Sequence, residues 1–202
     1  MQRNLTHSCQ GIAMHQMDHE QLIKDCLKLK PEAQKKLYNL FADSMLGVCF
    51  RYTKSMSDAE EVLQEGFIKV FAGLKQYKGD GEFGGWVRKI MVNTALNYLK
   101  TNKKYRHDLL FDEMPLHAVS THNPVVKLQA KELAELIRQL PTGFQTIFNL
   151  HAVEGYKHTE IAGMLGINEG TSRSQYARAR ILLIEWIENN SLKEEKGRYG
   201  TK

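Results

Sequence analysis

Residues 154–180, EGYKHTEIAGMLGINEGTSRSQYARAR, constrain the fold of this chain most strongly. Ile161, Met164 and Leu165 give a short helix one apolar face, and Gly166 supplies the residue that can take positive φ and end it. Asn168 suits the N-cap of a second helix, because its side chain can accept a backbone N–H. Along that second helix Thr171, Ser174, Gln175 and Arg178 are polar, whereas Tyr176, Ala179, Leu183 and Trp186 recur at helical spacing. Two helices across so tight a turn can bury one face and lay the other in a DNA major groove. An ordinary helical hairpin with a solvated face is the plainer alternative. Three arginines and no acid between Gly170 and Ile184 favour the DNA-facing reading.

Charge is distributed unevenly along the chain. The 202 residues carry 28 Lys+Arg against 23 Asp+Glu, a net of +5. From Phe83 to His107 there is no acid, while Arg88, Lys89, Lys100, Lys103, Lys104 and Arg106 all fall there. Asp58, Glu60, Glu61 and Glu65 cluster instead. Two basic stretches suit a polyanion, and the acidic one suits a basic partner. Hydrophobic content of 42% is enough to build real cores. Of three cysteines, Cys26 and Cys49 fall on apolar-periodic positions and read as buried reduced thiols. Cys9, His15 and His19 could form a metal set only within an irregular lead-in, so no metal or cofactor is expected, and His117 and His122 offer no stronger site. Neither a membrane-length apolar run nor a signal-peptide pattern occurs, and a cytoplasmic location is expected.

The periodicities predict an all-α protein of two small helical domains joined by a flexible linker, the second containing the helix-turn-helix. Residues 1–18 read as a disordered lead-in, with Met14 or Met17 as alternative starts. The first domain, 19–101, holds four helices. They run from about His19 to Leu29; from Pro31, with Leu37, Leu40, Phe41, Val48 and Tyr52 inward; from a cap at Ser57 or Asp58, with Leu63, Phe67, Val70, Phe71 and Leu74 inward; and from Gly84 to Lys100, with Val87, Ile90, Met91 and Thr94 in register. A turn-rich loop, Tyr77 to Glu82, precedes the last. Trp86 sits among apolar neighbours and reads as core. Residues 102–128 lose the pattern and form the linker, about 25 residues that could extend to roughly 80 Å. Residues 129–188 form the second domain: Leu133, Leu136, Ile137 and Leu140 on one helix, a break at Pro141, Phe144, Ile147 and Phe148 on the next, then the helix-turn-helix. The polar tail, 189–202, is expected to be disordered.

Three blocks in this order resemble a bacterial RNA polymerase sigma factor of the extracytoplasmic-function (ECF) subfamily. DAEEVLQEGFIKVF (58–71) is similar to the region 2 helix that docks on the polymerase clamp helices. FGGWVRKIMVNTALNYLK (83–100) resembles the adjoining helix that captures the −10 promoter element, and the 154–180 block resembles the region 4 module that reads the −35 element. The likeness covers about residues 20–187. It implies a promoter-specificity subunit that directs transcription initiation and helps melt the −10 region, with no catalysis of its own. It also implies as partners core RNA polymerase (clamp helices of the largest subunit, and flap), promoter DNA and an anti-sigma factor.

Site residues follow from the match. Asp58, Glu61, Gln64 and Glu65 present a polar, acidic face to the polymerase, although an acidic helix start is also favoured by the helix dipole alone. Tyr77, Lys78, Arg88, Asn93, Asn97 and Lys100 meet the −10 DNA, with Asn93 near an extruded base and Tyr77 as a stacking surface. Thr171, Arg173, Ser174, Gln175 and Arg178 meet the −35 DNA, where Arg suits guanine and Gln suits adenine. Arg180 reads as a phosphate contact or an internal pair. The sequence departs from the family pattern at Lys157, where a capping serine is common, and at Asn97 and Lys100, where Asp and Arg are common. A stand-alone helix-turn-helix regulator would leave the acidic helix and the 83–107 basic stretch without a role. A nucleic-acid enzyme would need paired carboxylates, a phosphate loop or a nucleophile constellation, and none is found in the sequence.

Overall fold

The computed structural model describes residues 20–102 and 130–199, with side chains described from 132 to 189 in the second stretch. The lead-in, Cys9, His15 and His19, most of the linker with His117 and His122, and residues 200–202 therefore lie outside it. Among the described residues there are helices and no strand. Contacts divide the chain into two units, one of residues 1–50 with 55–95 and one of residues 51–54 with 96–202.

In the first unit, α1 covers residues 20–27, α2 Pro31–Phe50, α3 Met56–Gly73, and α4 starts at Phe83 and ends at Thr101. A short 3₁₀ turn, Leu74–Gln76, follows α3. The caps differ from expectation. Ser55, in extended conformation, accepts the Asp58 N–H at 3.1 Å, so α3 begins before Ser57 and Asp58, which fall in its first turn. Leu37, Met45, Val48 and Cys49 of α2, Ala59, Val62, Leu63, Phe67 and Val70 of α3, and Val87, Met91 and Val92 of α4 are all buried, and α2 packs along α3. Each such side chain contributes about 1.5–3 kcal/mol on removal from water. Leu40, expected inward, is 46% exposed because it lies outside the arc that carries Leu37, Met45 and Val48. Glycine at 66 leaves room for Met91: a Cβ there would meet the sulfur of that buried, flexible side chain, which would have to shift within the core.

In the second unit, α5 (Ala130–Gln139) carries Leu136 and Ile137, and Leu140 follows at its end. These pack with Phe144 of α6 (Thr142–Phe148) and with Ala179 and Leu183 of the last helix. Pro141 separates α5 from α6, as expected from its fixed φ and missing N–H. Leu133 is 37% exposed, at the edge of this cluster rather than within it. The helix then widens to a π turn, Asn149–Val153, closed by Glu154 N–H donating to the Asn149 carbonyl at 2.9 Å. Gln145 and Asn149 are wholly buried, and both side-chain amides donate to the Arg51 carbonyl at 2.7 Å. Next come α7 (His158–Leu165) and α8 (Glu169–Tyr199). The helix continues to Tyr199, past Asn189 where a disordered tail was expected. SLKEEK contains good helix formers and no Pro, and extending an existing helix avoids the cost of nucleation.

Candidate nucleic-acid interface

Gly166 and Asn168 set the angle between α7 and α8. Gly166 sits at φ 72°, ψ 33°, where an L side chain would be strained, and its N–H donates to the Ala162 carbonyl at 2.9 Å. Asn168 Oδ1 accepts from the Thr171 N–H at 2.7 Å and from its hydroxyl at 3.0 Å, the cap expected from sequence. The start of α7 is only half capped. Glu160 accepts the Lys157 N–H at 2.7 Å, but a lysine side chain has no acceptor with which to return the bond.

On α8 the exposed positions are Gly170, Arg173, Ser174, Ala177 and Arg180, with Thr171 and Arg178 half-buried. Arg173 Nε donates to Glu169 at 2.9 Å, so its guanidinium is held along the helix. Arg180 lies 6.0 Å from the Tyr176 ring centroid. Gln175 departs from the expectation. It is 5% exposed, on the arc of Ser172, Ala179 and Leu183, so its side chain faces the unit's own core instead of solvent. Polarity suggested a DNA contact, but helical phase turns it inward.

The loop before α4 is built on Gly79 and Gly81, with φ of 81° and 93°. Tyr77 spans it, its hydroxyl donating to the Gly81 carbonyl at 2.8 Å. Burial, then Asp80, Glu20 and Glu82, raise the phenol pKa above its ordinary value and keep it a donor. Tyr77, Phe83 and Trp86 form one cluster, with centroids 5.0 Å apart for Tyr77–Phe83 and 5.6 Å for Phe83–Trp86. Phe83 is buried, whereas Trp86, read as core, is half-buried. Lys89, Asn93 and Asn97 line an exposed stripe of α4, with Lys78 exposed in the loop and Arg88 half-buried. Lys89 was absent from the candidate set; its i−4 spacing from Asn93 was the available signal. Lys100 is half-buried and donates to the Met164 carbonyl within the second unit.

On α3 the acidic face is exposed at Glu61, Gln64 and Glu65, with Asp58 half-buried beside the Ser55 cap. Glu65 pairs with Lys69 at 2.6 Å. Cys26 and Cys49 are buried and form no disulfide among the described residues. Among the described residues no group of His, Cys, Asp and Glu could hold a metal ion, and no helix is long and apolar enough to cross a membrane.

A helix-turn-helix with an exposed cationic face, preceded in the same chain by an all-α unit with acidic and amide-bearing surfaces, defines a helical DNA-binding protein of two modules. Residues 37–105 match Sigma-70 region 2 and residues 130–183 match Sigma-70 region 4. The chain belongs to the sigma-70 family of RNA polymerase sigma factors, within its ECF group. It is 31% identical to the ECF RNA polymerase sigma-E factor of Haemophilus influenzae, over 78% of this chain and 89% of that one. Similarity to the RNA polymerase sigma-H factor of Pseudomonas aeruginosa is 27%, over 82% and 91%. Among solved structures, the sigma factor RpoE bound to the anti-sigma factor NepR from Bartonella quintana matches with a TM-score of 0.48 and 19% identity, covering 76% of this chain and 96% of that one.

Proposed function

We infer that this protein is the promoter-specificity subunit of RNA polymerase, binding the core enzyme and directing initiation at promoters with −10 and −35 elements. The observation that carries this reading is the presence of both family regions, in order, on one chain whose helix-turn-helix exposes Arg173, Ser174 and Arg180. Thr171, Arg173, Ser174 and Arg178 read the −35 element, without Gln175. Tyr77, Lys78, Arg88, Lys89, Asn93 and Asn97 meet the −10 strand. Lys100 joins them only by exchanging its bond to the Met164 carbonyl. The Tyr77 loop and the exposed Asn93 amide suit an unstacked base, whose extraction costs a few kcal/mol recovered in contacts to the flipped base. Glu61, Gln64 and Glu65, with Asp58, face the basic clamp helices of the largest polymerase subunit, where charge steers the encounter. The flap is the second polymerase contact, and residues 102–128 tether the modules.

A cytoplasmic location and the absence of catalytic activity follow from this role. An anti-sigma partner is part of the same reading, since the chain belongs to the ECF group. Run-off transcription with purified core polymerase on a supercoiled genomic library tests the reading. Initiation at discrete sites that depends on this chain is expected. Tight duplex binding without polymerase, and no initiation with it, points instead to a stand-alone operator-binding regulator.

A further inference from the structure

Two histidines, one in the π turn and one opening the helix-turn-helix, have no part in the promoter contacts described above. His158 is the first residue of α7, and its Nδ1 lies 2.9 Å from the hydroxyl of Ser172 on α8. Ser172 is wholly buried. His151, from the π turn, stacks on His158 with centroids 4.2 Å apart and planes 24° from parallel. Its own Nδ1 is 2.8 Å from the Tyr156 carbonyl, which only accepts, so that nitrogen carries the hydrogen. Tyr176 of α8 closes the cluster, meeting His151 edge-on at 4.6 Å and His158 at 5.6 Å. One ring pair thus joins the π turn, α7 and α8.

The charges around His158 oppose its protonation. His151 faces it from the π turn, and Arg173 with Glu169 from α8, while α7 itself contributes Lys157 and Glu160 beside its positively polarised start. Burial, then His151, then Arg173 hold its pKa below the ordinary value, with Glu169 acting the other way. The sign is therefore fixed. A group whose folded pKa is depressed stabilises fully above its unfolded value of about 6.5 and loses that contribution as pH falls below it.

We propose that His158 is a positioning residue of the helix-turn-helix: its neutral imidazole, held between His151 and Ser172, fixes α8 against α7, and protonation, which sets a charge beside Arg173 and the positive start of α7, loosens that hold and weakens −35 reading. This rests on α8 being the DNA-contacting helix. A positive charge acting alone would tighten phosphate contacts instead, so the direction of the pH effect separates the two.

The test uses the full chain, followed from pH 8 to 5. In histidine-ring NMR, His158 should titrate below the solvent-exposed histidines. Ser172→Ala should shift that titration, because the bond across the helices is gone. In thermal melting, the wild type should lose several degrees more on acidification than His158→Asn, which keeps a short polar group facing Ser172 but cannot take a proton. Promoter affinity of the holoenzyme should fall as pH drops from 8 to 5, and stay level in His158→Asn. Titration of His158 together with exposed histidines, parallel melting of the two proteins, or tighter promoter binding in acid would each overturn the proposal. Titration and melting need neither polymerase nor DNA, so their failure is distinct from a failure of the promoter assay.

Discussion

Asn168 satisfies two donors at the start of α8, Thr171 N–H and Thr171 hydroxyl. Asn168→Ala should therefore cost about 1 kcal/mol, and Lys157→Ser, by completing the half-formed cap of α7, should recover a comparable amount. Chemical denaturation measures both. Gly66→Ala places a methyl against the Met91 sulfur, which must shift within a filled core, and should destabilise by about 1 kcal/mol in the same assay, the low end for overpacking because a thioether can adapt. Gln175 decides between two roles. Its Oε1 is buried without a partner, so Gln175→Met should leave stability level or higher and spare −35 discrimination. Loss of discrimination by that variant would restore Gln175 to the DNA face. The run of polar letters around it announced a contact helix, but polarity alone carries no phase. Burial of Ser172 and Gln175 follows from their sharing an arc with Ala179 and Leu183.

At the scale of elements, the exposed faces of α3 and α8 carry opposite charge and separate duties. Reversing Glu61 and Glu65 to Lys should weaken core-polymerase binding roughly tenfold or more while leaving −35 discrimination intact, since charges at an interface govern encounter and register. Arg178→Ala should do the opposite, costing about 1–3 kcal/mol of discrimination at the upstream element if it is bidentate to a base. Competition binding to core enzyme and initiation on promoter variants report the two quantities, and identical behaviour of the variants would refute the division. Helix positions were legible because apolar residues recur at helical spacing through α2, α3 and α4. The π turn was not, because Asn149–Val153 contains no residue type that marks an i→i+5 bond. Its register comes from burying Asn149 and Leu150 together. The early start of α3 was hidden for a related reason: Ser55, Ser57 and Asp58 are all good caps, and only the extended backbone at Ser55 selects one.

For the molecule as a whole, charge distribution matters more than its sum. A net of +5 is modest, yet residues 83–101 carry Arg88, Lys89 and Lys100 with no acid, and residues 170–184 carry Arg173, Arg178 and Arg180 with none. Promoter affinity of the holoenzyme should fall steeply with salt, and Arg180→Ala should lower the slope of log K against log salt by about one if that exposed guanidinium neutralises a phosphate. An unchanged slope would assign Arg180 to Tyr176 alone, over whose ring it lies.

The sequence by itself determined the helical class, the order of the two modules, the turn at Gly166–Asn168 and the acidic and basic surfaces. Each depends on periodicity or on a residue type with one strong local preference. Tertiary structure decided which polar side chains face inward, and that His151, His158 and Ser172 meet. Those outcomes depend on helical phase and on residues distant in the chain competing for the same buried space. No local preference encodes that competition. The 154–180 segment shows both sides: its turn is written in Gly166 and Asn168, whereas the burial of Gln175 and the pairing of the histidines exist only once α7, α8 and the π turn pack together.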